Sequence, residues 1–259
     1  MLLTNLSRFE KVCRPFQLIA EKIFYMIKLR KANVIKRKKI YPTPMGLVNS
    51  GALSIVMKYI IMCGGPRSFK PLWEIQGETI INRTIRLLRE NGITDIAIST
   101  NDTRYEALDV PILHHDNPLT WKDWCWLRAF YPTDEPVCYI FGDVFFSPEA
   151  IKTIVSTDTE DIEFFASAPP FDRRYKKNWA EPFAFKVMNV ERFFDCINVV
   201  RDLDKRHLFS RHPISWELWQ VIKGTPLNHV IYTNYTVIND YTCDIDSEEQ
   251  AHIITQGVL

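Results

Sequence analysis

Apolar residues along this chain fall into two alternating rhythms from Met57 onward, short unbroken runs and helical repeats. Tyr59–Cys63 is an apolar run that ends in Gly64-Gly65, the pattern of a buried strand feeding a tight loop. Thr79–Glu90 places Ile80, Ile81, Ile85 and Leu88 at helical spacing and stops at Asn91-Gly92. Asp95–Thr100 and Pro111–His114 read as strands, Trp121–Phe130 as a helix, and Val137–Phe141 as a strand ending in Gly142-Asp143. Ser147-Pro148 opens a helix through Val155 in N-cap and first-turn style. Glu163–Ala168 and Phe183–Val187 follow as strands, Val190–Val200 and Ser215–Ile222 as helices, and Val230–Thr233 and Val237–Thr242 as late strands. A final helix starts at Asp246-Ser247. Repeated β-α alternation predicts a three-layer, Rossmann-like α/β domain with a mainly parallel, mixed sheet and helices on both faces.

Residues 1–56 stand apart. They hold eleven Lys/Arg and two Asp/Glu, leaving 21 and 29 in the remainder, a net of −8. A mildly acidic main body argues against a nucleic-acid groove, where a positive field is expected. Within the extension, Leu6 to Lys31 has the spacing of a basic helix, and Lys36-Arg37-Lys38-Lys39 precedes a Pro/Gly-bearing linker. It reads either as a membrane-surface anchor or as an upstream extension, even an over-called start. The clean restart of the pattern at Met57 favours the second. The expected organisation is therefore a basic extension over 1–56 and a catalytic-type domain over 57–259. Six scattered cysteines without a C-x-x-C pair point to a reduced, cytoplasmic setting. No stretch approaches the roughly 20 apolar residues that span a bilayer.

Ligands of such sheets bind beyond the carboxyl ends of the strands, and three features fall there. In Gly64-Gly65-Pro66-Arg67-Ser68-Phe69-Lys70-Pro71-Leu72, glycines let backbone N–H groups approach phosphate, while Arg67 and Lys70 offer positive charge. An ordinary basic surface loop has the same composition. Asp143, after a glycine at the end of a buried strand, is placed to hold Mg²⁺, which takes one or two protein carboxylates; a turn or N-cap role is equally open to it. Asp244 and Asp246 alternate and so share a strand face, with capping of the last helix as the alternative for Asp246.

These motifs in combination resemble the sugar-phosphate and phosphocholine nucleotidyltransferases of the nucleotide-diphospho-sugar transferase superfamily. The likeness runs through Gly64-Gly65, Arg67, Lys70-Pro71-Leu72, Ile75-Gln76-Gly77-Glu78-Thr79-Ile80 and Arg83-Thr84-Ile85, then Gly142-Asp143 and Asp244-Ile245-Asp246-Ser247. The family's Gly-x-Gly-Thr-x-Arg loop is shortened here. The resemblance implies transfer of a nucleoside monophosphate from a nucleoside triphosphate to a phosphorylated small-molecule acceptor, with release of pyrophosphate. It implies Lys70 and Arg67 as catalytic groups, Gly64 and Gly65 lining the nucleotide, and Mg²⁺ held by Asp143 and Asp246. A glycosyltransferase of the same fold usually carries Asp-x-Asp at the metal position, and Asp143-Val144-Phe145 lacks the second Asp. A catalytically inert nucleotide-binding relative is the other alternative.

Several further residues invite chemistry. His114 and His115 are adjacent at a strand end, so they point apart and suit zinc poorly. Ser215-Trp216-Glu217 lacks a nucleophile elbow. Trp73, Trp121, Trp124, Trp179 and Trp216 could build a cage for a quaternary ammonium, or simply pack the core. Arg173, Arg174, Lys176 and Lys177 could meet an anionic acceptor or lie solvated.

Overall fold

The computed structural model describes residues 57–120, 125–169, 179–209 and 211–256. The 1–56 extension and the basic residues at 173–177 lie outside them. In chain order the elements are β1 (Lys58–Met62), β2 (Glu74–Ile75), β3 (Glu78–Thr79), α1 (Ile80–Glu90), β4 (Ile96–Ser99), β5 (Ile112–Leu113), β6 (Val137–Phe141) and β7 (Val144–Phe145). They continue with α2 (Pro148–Ser156), β8 (Ile162–Ser167), β9 (Pro182–Val187), α3 (Val190–Lys205), α4 (Ser215–Lys223), β10 (Thr236–Ile238), β11 (Cys243–Asp244) and α5 (Glu248–Thr255).

Seven strands form one sheet in the order β10-β8-β9-β6-β1-β4-β5. β1 pairs parallel with both β4 and β6, and only β9 runs against its neighbours β6 and β8. The expected mainly parallel, mixed α/β sheet is therefore present. The central strands are apolar throughout because both faces are covered: β6 is buried at all five positions, and β1 at every position after Lys58.

Local chemistry sets the ends of the elements. Thr79 caps α1 by accepting from Asn82 N at 3.3 Å, and the helix buries Ile80, Ile81, Thr84, Ile85, Leu87 and Leu88 before stopping at Gly92, φ 80°. Ser147 caps α2 from just before Pro148. Gly224, φ 68°, closes α4 in the left-handed region.

Three expectations fail. Trp121–Phe130 is not a described helix. Residues 121–124 lie outside the described set, and Trp126–Ala129 is a short 3₁₀ turn between extended Cys125 and Phe130. Tertiary contacts override helical spacing there. Trp126 stacks on Phe141 at 5.5 Å, Phe130 packs edge-on against Tyr139 and Phe193, and Asn117 bonds both N–H and C=O of Cys125. Val230–Thr233 forms no strand, and its Tyr232 sits edge-on to Trp216 at 4.7 Å. The expected Val237–Thr242 strand ends at Ile238 and β11 begins only at Cys243, because Asp240 accepts from Thr242 N and from the Ser147 hydroxyl and turns the chain. Conversely, Gln76 (φ 56°) and Gly77 (φ 81°) make a two-residue turn that pairs β2 with β3, a hairpin within the motif before α1.

The buried core runs from Tyr59 to Ile254. A chain beginning at Met57 is accordingly expected to melt cooperatively within a few degrees of the full-length protein, as followed by circular dichroism. Loss of the transition would make the extension part of the domain.

Candidate active site

The loop after β1 begins with two glycines that serve different purposes. A Cβ on Gly64 would lie 2.3 Å from His115 Nε2, so its bare Cα makes room for that imidazole as well as lining the cavity below. Gly65 has φ 93°, where a side chain is strained. Gly142, before Asp143, is required for packing: a Cβ there would stand 2.6 Å from Met62 O and 2.5 Å from Cys63 Sγ. It lets the ends of β1 and β6 close together, which brings Asp143 beside the loop.

Lys70 opens a single 3₁₀ turn, Lys70–Leu72, and its side chain is turned inward to 2% exposure. Its Nζ donates to Asp143 Oδ2 at 2.8 Å and Asp246 Oδ1 at 3.0 Å, and stands 3.6 Å from Asp244 Oδ1. Burial pulls the ammonium pKa down, but Asp143, Asp244 and Asp246 together outweigh it and hold the group above the ordinary lysine range. Arg67 Nη1 reaches the same Asp246 oxygen at 3.0 Å. The structure thus joins Arg67, Lys70, Asp143 and Asp246 in one cluster and adds Asp244 to it.

The capping alternatives do not hold, whereas the turn reading of Asp143 does. Ser147, not Asp143, caps α2; Asp143 occupies the turn between β6 and β7. Ser247 caps α5 in a reciprocal pair with Gln250, so the Asp246 side chain is turned to Lys70 and Arg67 instead. The two acidic segments are stitched together: β7 pairs antiparallel with β11, and Ile245 N donates to Asp143 O at 2.9 Å.

A cavity of about 640 Å³ opens over this cluster. One side is the loop, Gly64 to Pro71; another is apolar, with Cys125, Trp126, Leu127, Ala129 and Phe141; Asp143 and Asp246 also line it. Asp204 and His212, Pro213 and Ile214, ahead of α4, line it as well.

Sequence reasoning missed two acidic residues. Glu181, just before β9 and 6% exposed, has a carboxylate oxygen within 4.8 Å of oxygens of Asp244 and Asp246. Only the sheet topology brings it there. Asp102, 5% exposed, accepts from the Ser68 hydroxyl at 2.7 Å and is bonded by Arg104, while the Tyr105 hydroxyl donates to Ser68 O. This braces the shortened loop against the end of β4. Its signal, an Asp after Ser99-Thr100-Asn101, looks like any turn.

Other candidates fall away. His115 Nδ1 accepts from Asn117 N at 3.2 Å, and burial holds the imidazole below its ordinary pKa, so it serves as a neutral packing group. Trp216 is 1% exposed and donates to Ala180 O, and Trp73 packs on Phe69. Trp121 and Trp124 lie outside the described residues, and of the tryptophans described only Trp126 lines the cavity, while Trp216 takes the core-packing alternative. Phe145, at the position of a second Asp, is buried.

Solved structures share this fold at low sequence identity. Similar solved structures include a putative glucose-1-phosphate thymidylyltransferase from Bacillus anthracis in complex with a sucrose (14% identity, covering 77% of this chain and 94% of that one, TM-score 0.51). A 4-diphosphocytidyl-2C-methyl-D-erythritol synthase from Anaerococcus prevotii matches at 15% identity over 78% and 95%, TM-score 0.48. An inositol-1-phosphate CTP transferase from T. maritima matches at 16% over 78% and 96%, TM-score 0.46. The first carries the comparison and establishes the shared fold. No family model matches the chain, and no curated protein matches it in sequence.

Bonding from Arg104 and Ser68 holds the Asp102 carboxyl down at about 2, against an ordinary value of 3.8. A depressed carboxylate stabilises the fold above its unfolded pKa and loses that contribution as pH falls from about 4 to about 2. Asp102→Asn is expected to lower the Tm at pH 7, with the gap to the parent closing below pH 4. Melting curves at a series of pH values check this, and a gap independent of pH would remove the ionic brace.

Proposed function

We propose that the chain transfers a nucleoside monophosphate from a nucleoside triphosphate to a phosphorylated small-molecule acceptor, a sugar 1-phosphate or phospho-alcohol, and releases pyrophosphate. The observation that carries this reading is the meeting of a buried, charged Lys70 with Asp143, Asp244 and Asp246 at the mouth of a cavity beyond the parallel strands. A cavity of this volume suits a nucleotide and a small acceptor. The fold is shared with a structure described as a thymidylyltransferase.

The donor set fits Mg²⁺. It consists of carboxylates alone, the preference of a hard cation, and Asp143, Asp244 and Asp246 exceed the positive charge of Lys70 and Arg67 by one. Asp143 and Asp246 would hold the ion, with Asp244 and Glu181 beside them. When bound, it would neutralise charge on the triphosphate and template its approach.

The chain's own groups do the rest. The Gly64–Lys70 loop receives phosphate, and the apolar wall around Trp126 and Phe141 shields the base end from water. An acceptor phosphate oxygen attacks the α-phosphorus in line, the bond to the bridging oxygen breaks, and pyrophosphate leaves with that oxygen. No protein nucleophile is needed. Lys70 stabilises charge that grows on the α-phosphate oxygens in the transition state, and Arg67 neutralises the triphosphate at the cavity rim.

The test is steady-state pyrophosphate release over a panel of nucleotide and acceptor pairs. Lys70→Ala is expected to lower kcat by roughly 10²–10³ with a smaller change in KM, the mark of an interaction made in the transition state. Asp143→Asn should abolish turnover in a protein that still melts cooperatively, because an amide keeps the shape but not the charge. An unchanged kcat in folded Lys70→Ala would sink the mechanism. A parent with no turnover on any pair would favour the inert binding protein.

A further inference from the structure

Arg83 lies on α1, outside the cavity lining, yet its guanidinium reaches both strands of the small ribbon that carries the site's carboxylates. Nε donates to Phe146 O at 2.9 Å, immediately after β7. Nη2 lies 3.4 Å from the Tyr241 hydroxyl, just ahead of β11. The guanidinium carbon stands 4.3 Å from the centroid of the Phe145 ring, a cation–π contact beside the hydrogen bonds.

The ribbon needs such a brace. β7 and β11 are two residues each, pairing Val144 with Asp244 and Phe145 with Cys243. A pair this short is not independently stable. Asp143 precedes β7 directly, and Asp244 and Asp246 sit at and just beyond the end of β11, so a slip between the strands moves the carboxylates relative to one another. The Ser147 N–H and hydroxyl bind Thr242 and Asp240, which fixes the far end of the ribbon. Arg83 fixes its side toward α1. That helix is tied to the catalytic loop, because Ile80 N donates to Trp73 O, and Trp73 N to Lys70 O.

We infer that Arg83 is a positioning residue that sets the spacing of the Asp143 and Asp246 carboxylates for a divalent cation, by clamping β7 to β11 from α1. This rests on the metal role proposed above for those two carboxylates.

Mn²⁺ alone is the probe, titrated into the full chain and followed by electron paramagnetic resonance. Arg83→Met keeps length and apolar contact but loses the donors, and is expected to raise the Mn²⁺ Kd about tenfold, in the range for groups that orient metal ligands. Tyr241→Phe removes a single partner and should shift it in the same direction by a smaller factor; it also serves if Arg83→Met fails to fold. Arg86→Met is the control: this neighbour on α1 bonds only Glu78 and Glu90 among the described residues, so it should cost stability and leave the Kd unchanged. In nucleotide binding, the Mg²⁺ concentration for half-saturation should rise in parallel, with triphosphate affinity at saturating Mg²⁺ within twofold of the parent. Unshifted Mn²⁺ affinity in folded Arg83→Met and Tyr241→Phe overturns this inference alone. An equal shift in Arg86→Met also overturns it, by showing general loosening of the helix. A parent that binds no Mn²⁺ overturns it together with the metal assignment.

Discussion

A charged amine held out of water is expensive, by several kcal/mol even after relaxation. Lys70 is tolerable only because carboxylates surround it, Asp244 largely buried beside it and Asp143 and Asp246 reaching in from the solvent edge. Much of the molecule's geometry answers that mutual requirement. The close approach of β1 and β6 at Gly142 brings Asp143 within reach of Lys70, and the β7–β11 ribbon delivers Asp244 and Asp246 from a distant part of the chain. The cluster is therefore a packing problem as much as an electrostatic one: lose the alignment of strand ends, and a buried charge is left without compensation.

The loop that carries Lys70 is short and gains its order from outside itself. Asp102 and Tyr105, beyond the end of β4, grip Ser68 by side chain and by backbone. His115 fills the space over Gly64 and is itself fixed by Asn117, which also pins Cys125 at the cavity wall. The strand ends are thus joined through their connecting loops, and the cavity wall and the loop of Gly64 to Lys70 share one set of supports. A length that looks insufficient in a linear comparison is offset by bonds that linear comparison does not display.

What was readable beforehand follows from how locally each feature is determined. Val137–Phe141 is legible to the residue because a buried parallel strand must be apolar throughout, and Gly142-Asp143 stands out against it. Thr79, Ser147 and Gly224 mark helix ends through backbone chemistry confined to a few neighbours. Lys70 and Asp246 were legible because motif spacing carries them. Glu181 and Asp102 were not, and Arg83 was visible only as part of a motif, since their significance depends on partners 34 to 158 positions away. The Trp121–Phe130 prediction went astray for a related reason. Helical spacing of aromatics describes a stripe equally suited to a folded-over loop, and Phe141, Tyr139 and Phe193 drew Trp126 and Phe130 into the latter.

The ribbon that joins β7 to β11 has a bearing on how the protein comes into being. Asp143 is made about a hundred residues before Asp244 and Asp246. During synthesis the growing chain can lay down β1, β4, β6, β8 and β9 while the cationic loop still lacks two of its three counter-charges. The acidic half of the site arrives only as the last helix emerges, so a nascent chain is structurally advanced but chemically incomplete. Until Asp244 and Asp246 are made, Lys70 has Asp143 as its one counter-charge among the three carboxylates described.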